Sequence, residues 1–142
     1  MSDIVRTTSA PAPIGAYPHA RRVGDLLFIS GVGPRQPGSN IIPGNVHDAE
    51  GRLVSYDIDA QCLQVFANVR AILEASGAAW SDLVDVTVFL TDMSRDFAAY
   101  NRLYSSHFAD VDACRTTVGI TALPTPIAIE LKCIAALKAP AL

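Results

Sequence analysis

The sequence predicts an α+β fold: a mixed β-sheet with two helices packed on one face. Three observations lead there. Two stretches, residues 57–76 and the run that opens near Ser94, carry apolar residues at the three- and four-residue steps of a helix. Five short runs are rich in β-branched residues or end at turn residues, as strands do. The resulting order is β–β–α–β–α–β–β, so hairpins at both ends add antiparallel pairing to an alternating centre.

The opening TTSAPAPIGAY is a Pro/Gly/Ser segment, extended and rich in turns. HARRVGDLLFISG reads as a β-hairpin, with strands at 19–23 and 26–30 and a turn at Gly24 and Asp25. Residues 33–52, GPRQPGSNIIPGNVHDAEGR, are loop by composition. A loop of that length in a compact domain is uncommon and marks a binding loop or lid. The first helix presents Ile58, Cys62, Val65, Phe66, Val69, Ile72 and Leu73 as one stripe, and Gly77 stops it. A strand follows at 83–90. The second helix takes Ser94 as its N-cap and presents Phe97, Tyr100, Tyr104 and Phe108. Asn101 lies on that same face, where a polar amide needs either a backbone partner or a ligand. The last two strands, in ACRTTVGIT and IAIELKCIA, are joined by LPTP and are expected to run side by side.

At 142 residues the chain is read as one domain, 1–142. Half its residues are apolar and 18% are charged, which excludes a disordered chain. A small domain cannot hide so much apolar surface alone, so subunit interfaces are expected. The net charge of −3 and the lack of a basic cluster give no reason to expect nucleic acid. No apolar run reaches the ~20 residues of a membrane helix, and MSDIVRTTSA lacks the layout of a secretory signal. The three cysteines, Cys62, Cys114 and Cys133, are widely spaced and are read as buried thiols of a reducing cytoplasm.

Two charges interrupt the apolar strands at the C-terminal end. Alternation puts Arg115, Thr117 and Gly119 on one face of their strand. On the next, Ile127, Ile129, Leu131 and Cys133 share a face, and Ala128, Glu130, Lys132 and Ile134 take the opposite one. From spacing alone, Arg115 and Glu130 are either solvated surface groups, worth at most about 1 kcal/mol as a pair, or parts of a site. Chemistry favours the site: Arg presents a planar fork that grips a carboxylate bidentately, Gly119 leaves room over its strand, and a carboxylate can polarise water. Such a set suits hydrolysis at a carbon next to a carboxylate. Other chemistries lack their parts. There is no G-x-S-x-G elbow, and His19, His47 and His107 do not have metal-ligand spacing. GVGPRQPG matches no phosphate-binding motif, and the chain is too short for a pyridoxal phosphate enzyme.

The segments APAPIGAY, GDLLFISG, ILEASGAAWSDLV, DVTVFLTDM, CRTTVGITALP and IAIELKCIAA occur in order and span nearly the whole chain. Together they resemble the RidA/YjgF family of reactive-intermediate deaminases. That resemblance implies a chorismate-mutase-like fold and homotrimers, with hexamers left open. It also implies clefts between subunits that hydrolyse enamine-derived imines with no metal and no cofactor. By position Arg115 matches the family's carboxylate-binding arginine, and Glu130 the glutamate that holds the attacking water. Tyr17, Ser30 and Asn101 match other cleft positions. Thr117 stands where many members carry Cys, a departure that leaves Thr117 to offer its hydroxyl or backbone N–H to the substrate. The pattern SGVGPRQPGSNIIPG…VHDAEGRLVSYDIDAQ resembles the 2-aminomuconate deaminase branch of aromatic-compound degradation. That substrate bears a carboxylate at each end, and Arg35, His47 and Arg52 are candidates to bind the second. The alternatives are a general 2-imino-acid (2-aminoacrylate) deaminase and a non-catalytic ligand- or RNA-binding relative.

Overall fold

The computed structural model describes residues 3–138. In chain order the elements are β1 (Ile4–Val5), β2 (Ala20–Val23), β3 (Leu26–Ile29), β4 (Val46–His47), β5 (Leu53–Ser55), α1 (Ile58–Ala75), β6 (Leu83–Leu90), α2 (Met93–Phe108), β7 (Cys114–Gly119) and β8 (Ile129–Ala136), with one 3₁₀ turn at Trp80–Asp82. Six strands form a mixed sheet in the order β1-β2-β3-β8-β6-β7. Among the described residues only β6 and β7 pair in parallel, across the α2 crossover. Both helices pack on one face, α1 against β8 and α2 against β6. No helix among the described residues is long and apolar enough to cross a membrane.

The expected hairpin forms as β2 and β3, and Gly24 takes the left-handed conformation (φ 61°) in its turn. Asp57 caps α1 by accepting from the Ala60 N–H at 3.2 Å. Every residue of its apolar stripe except Ile58 is buried. Each such aliphatic side chain contributes roughly 1.5–3 kcal/mol when fully withdrawn from water. For α2 the cap is Asp92, not Ser94: the Asp92 carboxylate accepts from the Arg95 N–H at 3.1 Å. A charged acceptor at the positive end of the helix prevails over a hydroxyl two residues on. Phe97 departs from its predicted stripe and is 38% exposed, whereas Tyr100, Tyr104 and Phe108 are buried.

Three further expectations change. First, β7 and β8 are not neighbours. β6 lies between them, and β8 pairs antiparallel with both β3 and β6. The connecting residues pass the end of β6, where Ile120 N–H donates to Leu90 O and Thr91 N–H to Ala128 O. The strand at the centre is the one whose alternate residues Ile129, Leu131, Cys133 and Ala135 are all fully buried. The polar CRTTVG strand takes the edge, as a strand with unpaired backbone on one side should. Second, the 33–52 loop is not structureless, because its end folds back as the small β4–β5 hairpin. The two-residue β1 was likewise too short to show an alternating pattern. Third, Cys62 and Cys133 are buried but Cys114 is exposed on the edge strand.

Register fixes which side chains share a face. Val86, Val88 and Leu90 of β6 sit beside Arg115, Thr117 and Gly119 on β7 and are buried. Their side of the sheet is the one the helices cover. Phe89 sits beside Val118 and Glu130 on the opposite, uncovered side, with Phe28, Lys132 and Ile134.

Candidate active site in two halves

The predicted residues form two groups on opposite faces of the sheet. The first centres on Arg115. From the edge strand its guanidinium reaches over α2, with the Tyr104 ring centroid at 4.7 Å and that of Tyr100 at 5.5 Å. Nη1 donates to Asn101 Oδ1 at 2.8 Å, so the amide noted on the aromatic stripe finds its partner here. Tyr100 Oη and Thr117 Oγ1 lie 3.0 Å apart and share a hydrogen bond, which ties the strand to the helix two residues beyond Arg115. Burial raises the proton affinity of both tyrosines, and pushes Tyr104 up to about 12. No carboxylate lies within ion-pair distance of Arg115 among the described residues, so its remaining donors are open to a ligand. The space over Gly119 is occupied by Met93, not left for a substrate.

The second group gathers on the other face. Glu130 is half-buried, and its side chain makes no hydrogen bond or ion pair among the described residues. Burial raises its carboxyl above the ordinary 4.5. A Cβ on Gly31 would stand 2.8 Å from Glu130 Oε2, so only glycine lets the backbone come so close to this carboxylate. Gly31 also lines a cleft with Tyr17, Ser30 and Arg35. In that cleft Tyr17 Oη accepts from the Ile14 N–H at 3.2 Å, and Ser30 Oγ donates to Pro18 O at 2.7 Å. His19 ties down the segment before it: Nδ1 faces the Thr7 N–H and Nε2 the Pro11 carbonyl. Lys132, two residues beyond Glu130 on the same face, donates to the Ile29 carbonyl instead of pairing with the glutamate, and burial lowers its proton affinity.

A family model, Endoribonuclease L-PSP, matches residues 7–137 of the chain. The chain belongs to this family. A RutC family protein of Pyrococcus horikoshii is 38% identical over 135 residues, 95% of this chain and 98% of its own. Reactive Intermediate Deaminase A of Arabidopsis thaliana, a chloroplast protein, is 36% identical over 95% of this chain and 66% of its own. The crystal structure of the Escherichia coli YjgF gene product superposes with a TM-score of 0.81 at 33% identity, covering 96% of this chain and all of that one. E. coli TdcF, solved with bound serine, gives 0.80 at 31% identity over 95% of this chain and 98% of its own. The α+β sheet with two helices on one face is thus the family fold.

Within this L-PSP/RidA-type fold, Arg115, Asn101 and Thr117 come together, and Tyr17 and Ser30 join Glu130 through Gly31. The two groups do not meet in one chain. Of the loop residues, Arg35 lines the Tyr17–Ser30 cleft, and both Arg35 and His47 line a neighbouring hollow. Arg52 instead closes its own hairpin turn, with Nε 3.1 Å from Asp48 Oδ2 and Nη2 3.5 Å from Glu50 Oε2. Sequence reasoning missed Gly31 and the role of Tyr100 and Tyr104 as a bed for the guanidinium. It also missed the amides Gln61 and Asn68, whose signal was their place on the buried face of an otherwise apolar helix.

Proposed function

We propose that this chain is a cofactor-independent deaminase that hydrolyses an enamine, through its imine tautomer, at a carbon next to a carboxylate. The observation that carries it is a pair of uncommitted, opposite charges, each held in place: a guanidinium fork without an acid partner and a half-buried glutamate without a cation. A relative bearing the name Reactive Intermediate Deaminase and another crystallised with serine, itself an α-carboxylate, support the reading.

Because Arg115 and Glu130 occupy opposite faces, the site needs two copies. We place it between subunits of a homotrimer, where the Arg115 face of one protomer meets the Glu130 cleft of its partner. Arg115 grips the carboxylate beside the amino-bearing carbon. Protonation of the enamine carbon gives the C=N form. Glu130 accepts a proton from water as its oxygen bonds to the imine carbon. Glu130 returns that proton to the nitrogen, and the C–N bond then breaks as the new hydroxyl gives its own proton to Glu130 and C=O forms, leaving ammonia and a 2-oxo acid. Positioned base catalysis of this kind contributes roughly 10²–10⁴-fold.

The finer reading is 2-aminomuconate converted to 4-oxalocrotonate in the cytoplasmic degradation of aromatic compounds. Arg35 and His47 on the long loop support it as contacts for the second carboxylate. The broader reading, a general 2-imino-acid deaminase, shares Arg115 and Glu130 and does not use the loop.

Co-expression of Arg115→Ala with Glu130→Gln tests the shared site. Each variant alone should be inactive, and random mixing should restore about a quarter of the wild-type ammonia release, since one intact interface in four carries both residues. No recovery in verified mixed oligomers would remove the intersubunit site.

A further inference from the structure

We infer that the hollow beside Arg35 is an anion subsite that takes the far carboxylate of a long dicarboxylic substrate, and that Gln61 and Asn68 of α1 hold it preformed. The identity of that substrate rests on the deaminase reading; the site itself does not. The hollow measures about 410 Å³ and is walled by Arg35, Asn40, Asn45, His47 and Thr125 among apolar neighbours. It therefore offers one guanidinium, one imidazole, two amides and a hydroxyl, and no carboxylate. Arg35 also lines the Tyr17–Ser30 cleft, so the two spaces meet at a single cation.

The charge of Arg35 is not neutralised. Nη1 donates to Asn40 Oδ1 and Nη2 to Ala12 O, both at 2.7 Å, and no acid pairs with it among the described residues. An arriving carboxylate gains a charge-assisted hydrogen bond there without breaking an ion pair. Arg52 on the same loop is the contrast, since Asp48 and Glu50 already satisfy it.

The walls are fixed from the helix. Gln61, fully buried, accepts from the Ala128 N–H at 2.8 Å and donates to Asn45 Oδ1 at 3.0 Å, and Asn45 Nδ2 donates onward to Pro126 O at 2.8 Å. Two turns on, Asn68 Nδ2 donates to the carbonyls of Gly33 (2.9 Å) and Arg35 (2.8 Å), and Gln64 Nε2 holds the other end of that amide. Burying amides on an apolar helix face is unfavourable unless each is bonded. Here the bonds run to both sides of the hollow. Gln61 and Asn68 are thus positioning residues, and a wall ordered beforehand spares the ligand the entropy of ordering it.

The test compares ammonia release from 2-aminomuconate, with two carboxylates, and from 2-aminoacrylate, with one. Arg35→Gln should lower kcat/KM for the dicarboxylate at least about tenfold more than for the monocarboxylate. Asn68→Leu should shift the same ratio in the same direction with Arg35 intact and the Tm recorded alongside. Parallel losses on both substrates would overturn the subsite. A ratio that moves with Arg35→Gln but not with a folded Asn68→Leu would overturn the positioning role. A second arm needs no turnover: adipate and hexanoate are titrated into the wild type and Arg35→Gln, followed by ¹⁵N NMR. Adipate should bind the wild type more tightly than hexanoate, with shifts around Arg35 and His47, and lose that advantage in the variant. If the wild type deaminates neither substrate the deaminase reading fails, and the adipate result still decides the subsite: no preference for adipate would overturn it.

Discussion

The two halves of the site are held in opposite ways. Arg115 is fixed by side chains: an amide bonded to one nitrogen, and two tyrosine rings beneath the guanidinium. Glu130 has no side chain bonded to it among the described residues, and what lies close against its carboxylate is the backbone of Gly31. The difference suits the role proposed for each charge. A fork that must meet a carboxylate needs a direction, which neighbouring side chains supply. A base that must take a proton needs its proton affinity tuned, and its lone pairs left for water.

The largest expected effects come from removing either charge. Glu130→Gln should keep substrate binding and lose kcat by about 10²–10⁴-fold. Arg115→Ala should lose saturation itself, with kcat/KM down by roughly 10²–10³-fold, because the fork proposed to grip the carboxylate is gone. Stopped-flow binding alongside steady-state ammonia release separates the two. If both variants affect KM and kcat alike, the division of labour is wrong.

Next comes Gly31→Ala. Its Cβ would stand 2.8 Å from Glu130 Oε2 and force the carboxylate aside. About a tenfold fall in kcat is expected from such a displacement, with KM little changed. Asn101→Ala, acting on the other half, should do the reverse and raise KM by about tenfold, the worth of one hydrogen bond to a charged group. A kcat effect from Asn101 and a KM effect from Gly31 would erase the contrast.

The smallest effect is on pH dependence, where the sign is set by burial. Burial raises the Glu130 carboxyl above 4.5, so the acid limb of kcat/KM should lie above that value and disappear in Glu130→Gln. A carboxyl that binds its proton more tightly when folded favours the native state at low pH, and that contribution is lost as pH rises through its raised value. Glu130→Gln should therefore melt no lower than the wild type at pH 7 while being inactive. A lower Tm would mean that the glutamate is a structural partner.

Much of the fold was legible because local patterns carried it. The stripe of α1 and the β-branched run of β6 stand where periodicity places them. The site was legible only within each element. Alternation sorts Arg115 from Cys114 and Glu130 from Ile129, but the relative face of two strands depends on their common register with β6, which no local pattern states. Hence the sequence left open how the two charges face each other, and they stand on opposite sides of the sheet. The same non-local gap hid the insertion of β8 between β3 and β6. The closeness of Gly31 to Glu130 was invisible for another reason: Ser30 and Gly31 read as the break that ends a strand, and nothing in ISG marks the approach of a side chain from a distant one. Asn101 could be flagged from its face alone; its partner could not.

The position of β8 also bears on how the chain reaches this state. Its residues come after every other element of the sheet, yet they join two pieces that share no strand pairing without them: β1 to β3 on one side, β6 and β7 on the other. Neither piece can close its core before residues 129–136 arrive, so the early segments wait with apolar faces uncovered. Closing so distant a strand is slow relative to local pairing. A chain cut short of that strand should yield no reduced version of the protein, only two unjoined fragments prone to aggregate.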